Sequence, residues 1–573
     1  MWDNPPMGRQ ISSVARLRAA LDALGDQIDS VDFGLPSADR QARRELRDEL
    51  GWTIREYLIP RLADLDREVV AVVVGSTGSG KSTLVNTLAQ RPVSQTGAVR
   101  PTTTAPVVWC HEEHAQRYRD TFMSGYETGT GSARSLRVVA DTAPLLRGVT
   151  LIDAPDFDSV IGEHREIAEE LLAVADLCIF VTSAQRYADA VPWEFLDRAR
   201  RRKLPILFVV NRLPDNGVSE ILADYSGHLR RRNIVRDDLS LVEISEQPVI
   251  RECMGLPANA VDGLRERLAQ LADPIRRRAI IVETTRGTVE DVIVRSGDLI
   301  AAMRQEANEG ANLVRVAKDA YSGQLDEIDR ALDRGSLIRA EVGTRWQEFL
   351  GTGSFLQAVG EGAGRVRRWV GTVFGGKRNL ERLDEETRRE FAASVARRLD
   401  IAASQAAAAW ELDPAGRALL GDRVLWRRAP EAADRIEEAI EDWTTDVAAL
   451  IAEQGADKRR RAQLNSLGIN AVALVALLAI FSHTGGLTGG ELGVAAGAAA
   501  AQQKLLEQAF GTTVVRSLVE TARQGLFEHL RDVFDADEAR FVDRAEAVLS
   551  GSDLGLRHAT ATVQEAAGVF YGG

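Results

Sequence analysis

An α/β domain with a mostly parallel sheet, set between an N-terminal helical arm and a large C-terminal all-α region, is the fold class this sequence predicts. Three observations predict it. Between about residues 68 and 275, short apolar, β-branched runs alternate with charged, helix-like segments, the pattern of buried parallel strands with helical crossovers. One of those runs leads straight into the glycine-rich stretch GSTGSGKS and then into a helix-like segment. After about residue 276 the strand signal stops, and Ala, Leu, Arg and Glu at helical spacing take over. Taken together these divide the 573 residues into an arm at 1–66, an α/β domain at 67–276 and a helical stalk or bundle at 277–573.

The arm comes first. In SSVARLRAALDALGDQI, Val14, Leu17, Leu21 and Leu24 repeat at intervals of three and four and form one apolar face. A second charged, periodic stretch runs from Arg40 to Leu65. Strands are expected at Val69–Val74, Pro106–Cys110, Val149–Ile152, Leu177–Val181, Ile206–Val210 and Leu241–Ile244. In the last region, IEEAIEDWTTDVAALIAEQ sets Ile436, Ile440, Trp443, Val447 and Ile451 on one stripe with acids elsewhere, an amphipathic helix.

Composition narrows the function. At 45% hydrophobic and 27% charged the chain is globular, and a net charge of −13 argues against a dedicated nucleic-acid binder. Cys110, Cys178 and Cys253 are too far apart in sequence for a metal or redox pair, so reduced thiols and a cytoplasmic setting are expected. The N-terminus MWDNPPMGRQ has no apolar core of a secretory signal. His111 and His114 lack acidic or cysteine partners at ligand spacing and read as surface histidines.

The chemistry starts at Gly75–Ser82. Gly75, Ser76, Thr77, Gly78, Ser79, Gly80, Lys81 and Ser82 match G-x-x-x-x-G-K-[ST], with Thr83 next in the helix. Glycines let backbone N–H groups curl around phosphate oxygens, and the helix N-terminus favours the anion. Lys81 supplies a cation for the β- and γ-phosphates, and Ser82 a hydroxyl for Mg²⁺. Downstream, GAVRPTTTAP offers Thr102 and Thr103, either able to ligate Mg²⁺ and sense the γ-phosphate. In VTLIDAPDFDS, Asp153 ends an apolar strand, where a carboxylate holds a metal-bound water. Asn211 ends the strand in PILFVVNRLPD, and Ser245 takes the equivalent place in VEISEQP.

In order and spacing these motifs resemble the Era-type branch of translation-factor-related GTPases, which includes the bacterial dynamin-like proteins. The resemblance implies GTP and Mg²⁺ as ligands and hydrolysis of GTP to GDP and phosphate. It matches Thr102 or Thr103 to the switch threonine and Asp153 to the aspartate of D-x-x-G. Asn211 and Arg212 match the start of N-K-x-D, and Ser245 the serine of the S-A-K loop. Two positions depart. Asp156 stands where D-x-x-G has glycine, and either alters the second switch or contacts the metal. Pro214 stands where the guanine-reading aspartate belongs, and Asp215, one residue on, substitutes only if the loop bulges. GTP is favoured over ATP.

No glutamine or histidine directly follows Asp156 to orient water, so slow intrinsic hydrolysis is expected. The family resemblance implies a homodimer in which paired G domains complete each other's sites. Arg100, Arg186 and Tyr187 are candidates for that role, with solvated surface residues the alternative.

The same resemblance implies a neck and stalk acting at a membrane. Leu467–Ser482 is apolar but only 16 residues long, short of the roughly 20 needed for a span. The glycines at Gly485–Gly490 and the small residues of Leu492–Ala501 suggest a hairpin over 467–501, either partly inserted or buried in the stalk. Lys458–Arg461 upstream would suit an anionic membrane at the inner face of the cell membrane. Within Gly351–Asn379, Phe355, Val359, Val366, Trp369, Val370 and Val373 flanked by Arg365, Arg367, Arg368, Lys377 and Arg378 form a second candidate lipid contact or a packed stalk segment. The alternative is a soluble regulatory GTPase whose helical half binds a protein or ribosomal partner. An ATP-binding transporter component is disfavoured, because no L-S-G-G-Q-like stretch occurs and no glutamate follows Asp153.

Overall fold

In the computed structural model the described residues are 7–96, 105–120, 126–128, 134–156, 162–187, 191–232, 234, 241–333, 377–421, 423–454, 512–549 and 551–572. The strands are β1 (Val69–Gly75), β2 (Val107–His111), β3 (Glu127–Thr128), β4 (Ser135–Asp141), β5 (Val149–Asp153), β6 (Leu177–Ser183), β7 (Ile206–Leu213) and β8 (Leu241–Ser245). They form one sheet in the order β3-β4-β2-β5-β1-β6-β7-β8. From β5 through β1, β6, β7 and β8 every pairing is parallel, and β2 runs antiparallel to β5. The valine-rich β1 sits in the middle and is buried along its whole length, as helices on both faces of a parallel sheet require. All six strands expected from the sequence are present. β3 and β4 were not expected.

The chain divides into two compact units that do not follow the three sequence segments. The first unit is Met1–Asp32, Gln41–Arg304 and Gly551–Gly573; the second is Phe33–Arg40 and Gln305–Ser550. Most of the arm therefore belongs with the α/β domain, as do the start of the 60-residue helix Pro274–Asp333 and the C-terminal helix Leu554–Gly572. The physical reason is helix pairing. Met7–Asp29 buries Leu17, Leu21, Leu24 and Ile28, and Arg16 reaches Glu565 of the C-terminal helix at 2.6 Å.

A sealed junction ties the arm to the sheet at the N-terminal end of β6. Asp176, fully buried, accepts from Arg61 Nε at 2.8 Å, from Tyr57 Oη at 3.1 Å and from the Val70 backbone N–H of β1 at 2.8 Å. Arg61, also fully buried, donates to Glu68 O at 3.1 Å, and burial lowers its pKa to about 9. Thr284 of the long helix donates to Asp176 O at 3.2 Å. Arg202 stacks 4.7 Å from the Tyr57 ring centroid and donates to Thr288 at 3.1 Å.

His111 departs from expectation: it lies in β2 and is buried, because the strand runs one residue further than its apolar run. His114 sits 3.6 Å from Glu68. All three cysteines are buried thiols, as expected for reduced cysteines, with burial pushing Cys110 up to about 12.

Among its described residues the second unit has helices and no strand, with Phe33–Asp39 and the residues before Ala432 as connections. The stripe expected from Ile436 to Ile451 is buried along the helix Ala432–Gln454, and Trp443 Nε1 donates to Ala522 O at 2.6 Å. Asp413 caps the next-turn helix Pro414–Leu420 by accepting from Ala415 and Gly416 N–H, with proline at its first position. Asp537 accepts from Tyr321 Oη at 2.7 Å and from Ala429 N–H at 2.6 Å inside the core. Residues 351–376 and 467–501, both candidate lipid contacts, lie outside the described residues, as do Arg100, Thr102 and Thr103. Among the described residues, no helix is long and apolar enough to cross a membrane.

Candidate functional site

The site is built at the C-terminal ends of β1, β5, β6 and β7. β1 delivers the chain into the loop Ser76–Gly80, and the helix Lys81–Ala89 starts immediately after it. Two glycines of the loop are there by necessity. A Cβ on Gly75 would lie 2.1 Å from Val181 O of β6. Gly80 has φ +97°, and a Cβ there would lie 2.3 Å from Asn211 Nδ2. That amide donates to Ser79 O at 2.9 Å, so β7 braces the loop from behind.

Lys81 is almost wholly buried. Its ammonium donates to Gly75 O at 2.9 Å, lies 3.5 Å from Ser76 O and is ion-paired with Asp156. Ser82 Oγ donates to Asp153 Oδ2 at 2.6 Å. Asp153, at the end of β5, is fully buried, and burial pushes its carboxyl above the ordinary value against hydrogen bonds from Ser82 and Ser94 and the charge of Lys81. Its second oxygen, Oδ1, is buried with no hydrogen-bond donor among the described residues. A buried carboxylate oxygen without a donor beside a serine hydroxyl suits a hard cation, and Mg²⁺ takes only one or two protein ligands when phosphates supply others. The donor set therefore fits Mg²⁺.

Ser94 was not singled out from sequence. Its hydroxyl also donates to Asp153 Oδ2. Asn86 positions it, accepting from Val93 and Ser94 N–H at 2.8 Å each and donating to Ser94 O at 2.9 Å. The only signal was its place within VSQTG, downstream of the phosphate loop.

At the base-facing side, β7 carries a bulge. Val210 pairs with Glu243 and Leu213 with Ser245, so Asn211 and Arg212 stand opposite Ile244 alone. Arg212 has φ +56°, a conformation uncommon for a side-chain-bearing residue, and its N–H donates to Asn211 Oδ1 at 2.9 Å. Arg212, Asp215 and Ser245 are exposed at this end of the sheet. Arg186, on the turn after β6, is exposed and donates to Thr77 O of the phosphate loop at 2.9 Å. Tyr187 instead donates to Asp224 at 2.8 Å. Thus Gly75–Thr83, Asp153, Asp156 and Asn211 come together, with Arg212, Asp215 and Ser245 at the rim.

Residues 70–212 match the family described as 50S ribosome-binding GTPase. These residues are a GTPase domain. The chain is 28% identical over 158 residues to a probable transmembrane GTPase, FZO-like and chloroplastic, of Arabidopsis thaliana, covering 27% of this chain and 16% of that protein. It is 30% identical over 100 residues to the small ribosomal subunit biogenesis GTPase RsgA 1 of Oceanobacillus iheyensis, covering 18% of this chain and 26% of that one. The chain thus spans about a sixth to a quarter of the length of these curated relatives. Among solved structures, a member of an oligomerised bacterial dynamin pair, described as sensing and tethering membranes, aligns over 97% of this chain and 94% of its own at 12% identity and a TM-score of 0.42.

Proposed function

We propose that the chain is a Mg²⁺-dependent, dynamin-like GTPase that converts GTP and water to GDP and phosphate and couples the nucleotide state to its helical region at a membrane surface. One observation carries the nucleotide part: Lys81, Ser82 and Asp153 converge at the ends of β1 and β5, with one Asp153 oxygen left without a donor among the described residues. Lys81 would neutralise the β- and γ-phosphates from the loop. Ser82 and Asp153 would hold Mg²⁺, which when bound neutralises charge on the phosphate oxygens. The switch threonine, Thr102 or Thr103, would sense the γ-phosphate. Catalysis would come from positioning and charge stabilisation rather than covalent chemistry.

For the base, Asp215 is the proposed reader. The sequence NRLPD holds one residue more between asparagine and aspartate than N-K-x-D, and the bulge at Asn211–Arg212 takes up one residue. Arg212 would cover the base with its stem, and Ser245 would border it.

The membrane part rests on the sequence: basic Lys458–Arg461 just before apolar Leu467–Ser482, and the name of the Arabidopsis relative as a transmembrane GTPase. Pairing of G domains is favoured by the lack of a glutamine or histidine directly after Asp156 and by the exposed Arg186 at the loop edge. The test is co-sedimentation of the full chain with anionic liposomes, with and without a GTP analogue. Nucleotide-dependent pelleting, lost on deleting Leu467–Ala501, is the expected result. A chain that stays in the supernatant in every nucleotide state would favour the second reading, a soluble regulatory GTPase with a ribosomal partner, for which the RsgA 1 similarity speaks.

A further inference from the structure

The cation that should meet the phosphates already has an anion. Lys81 is almost wholly buried and its ammonium has three N–H donors. One goes to Gly75 O at 2.9 Å, and another meets the carboxylate of Asp156, the residue that replaces the glycine of D-x-x-G. The contact is itself half-sheltered, with Asp156 17% exposed. A carboxylate is a compact oxygen anion, so at Lys81 it presents what a terminal phosphate oxygen presents. It reaches the site from the residues just after β5, the strand that also delivers Asp153.

We infer that Asp156 is an internal competitor of the γ-phosphate for Lys81 and biases the site toward the diphosphate. The inference rests on the nucleotide reading above. With a diphosphate bound, Lys81 keeps Gly75 O and Asp156, and its third donor, which meets Ser76 O only at 3.5 Å, turns to the β-phosphate. A triphosphate needs the donor that Asp156 occupies, and its γ-phosphate adds a like charge next to the carboxylate. Asp156 then has to leave Lys81. Departure of a charged side chain, rather than formation of a glycine N–H contact, becomes the event that reports the third phosphate.

The test compares the affinity of the full chain for GDP and for a non-hydrolysable GTP analogue, by titration calorimetry at fixed Mg²⁺, in the natural protein, Asp156→Asn and Asp156→Gly. Asparagine keeps an acceptor for Lys81 without the charge, and glycine restores the D-x-x-G residue. A charge-assisted hydrogen bond that must be surrendered predicts that both variants bind the analogue about tenfold more tightly. Affinity for GDP should change by no more than about twofold, because Asp156 and the β-phosphate do not contend for one donor. An unchanged ratio of analogue to GDP affinity would overturn the inference. Weaker analogue binding in both variants would also overturn it and would assign the carboxylate to the metal instead. Failure of the natural protein to bind either nucleotide would sink the nucleotide reading itself, and this inference with it.

Discussion

Two lysine- or arginine-to-aspartate pairs stand at opposite ends of the same sheet, and they are built for opposite purposes. Arg61 and Asp176, at the end where β6 begins, are both wholly buried, and Asp176 accepts from two further donors, Tyr57 and the Val70 N–H. Lys81 and Asp156, at the end where β1 finishes, are more open on the acidic side, and among the described residues Lys81 is the one partner of the Asp156 carboxylate. Buried charges persist when every remaining lone pair and proton is satisfied. Asp176 is held by three donors, and although Arg61 Nη1 is buried without a partner among the described residues, that web makes the first pair a fixed joint between arm, sheet and long helix. Among the described residues the second pair keeps its aspartate in place by one partner, so an arriving anion can exchange with it.

Breaking the fixed joint should have the largest effect. Asp176→Ala leaves Arg61 buried without its counter-charge, and a loss of about 3–5 kcal/mol of stability is expected. Thermal and chemical unfolding of the variant would check it. Asp156→Ala in the same assay should cost less, about 1–3 kcal/mol, because Asp156 is 17% exposed and Lys81 keeps Gly75 O as an acceptor. Equal losses would erase the distinction between the two pairs.

Next comes the metal side of the phosphate site. Asp153→Asn keeps an acceptor for Ser82 and Ser94 but removes the charge facing the vacant direction of Oδ1. Hydrolysis of GTP should fall about hundredfold and lose its dependence on Mg²⁺ concentration. Steady-state rates across a Mg²⁺ titration would measure both. A smaller effect belongs to the rim. Asp215→Ala should reduce the preference for GTP over ATP by about tenfold or more, since a site built to hydrogen-bond a base discriminates through that bond. Unchanged discrimination in competitive binding would remove Asp215 as the base reader. The smallest effect is expected at Arg186. Its replacement by alanine should lower kcat severalfold, on the order of 1 kcal/mol, with little change in KM. If specific activity also stops rising with protein concentration, the side chain acts across a G-domain pair.

The parts legible in the sequence were the local ones. Gly75–Ser82 announces its shape because every requirement lies within eight consecutive residues, and β1 is apolar throughout because both its faces are covered. Asp153 was readable as a strand end; Asn211 instead lies two residues before the end of β7, at its bulge. β4, SLRVVAD, was not, because only Ser135 and Leu136 are buried and the remaining positions are intermediate, leaving no continuous apolar run. Asp176 looked like any acid between a helix and a strand, since Arg61 and Tyr57 are more than a hundred residues away in the chain. Ser94 acquires a role only after Asn86 has folded the segment behind it. The return of Leu554–Gly572 to the first unit was invisible for a related reason: its buried face, Leu556, Ala559, Val563 and Ala566, specifies a helix but not which helix it meets.

The central claim is that residues 70–212 turn over GTP through Lys81 at this site. Phosphate release by the purified full chain, with GTP and with ATP, in the natural protein and in Lys81→Ala, tests it most directly. The account predicts Mg²⁺-dependent release from GTP, much slower release from ATP, and a loss of at least about hundredfold in the variant. Equal release from both nucleotides would contradict the base assignment. GTP turnover that survives Lys81→Ala unchanged would contradict the account at its centre.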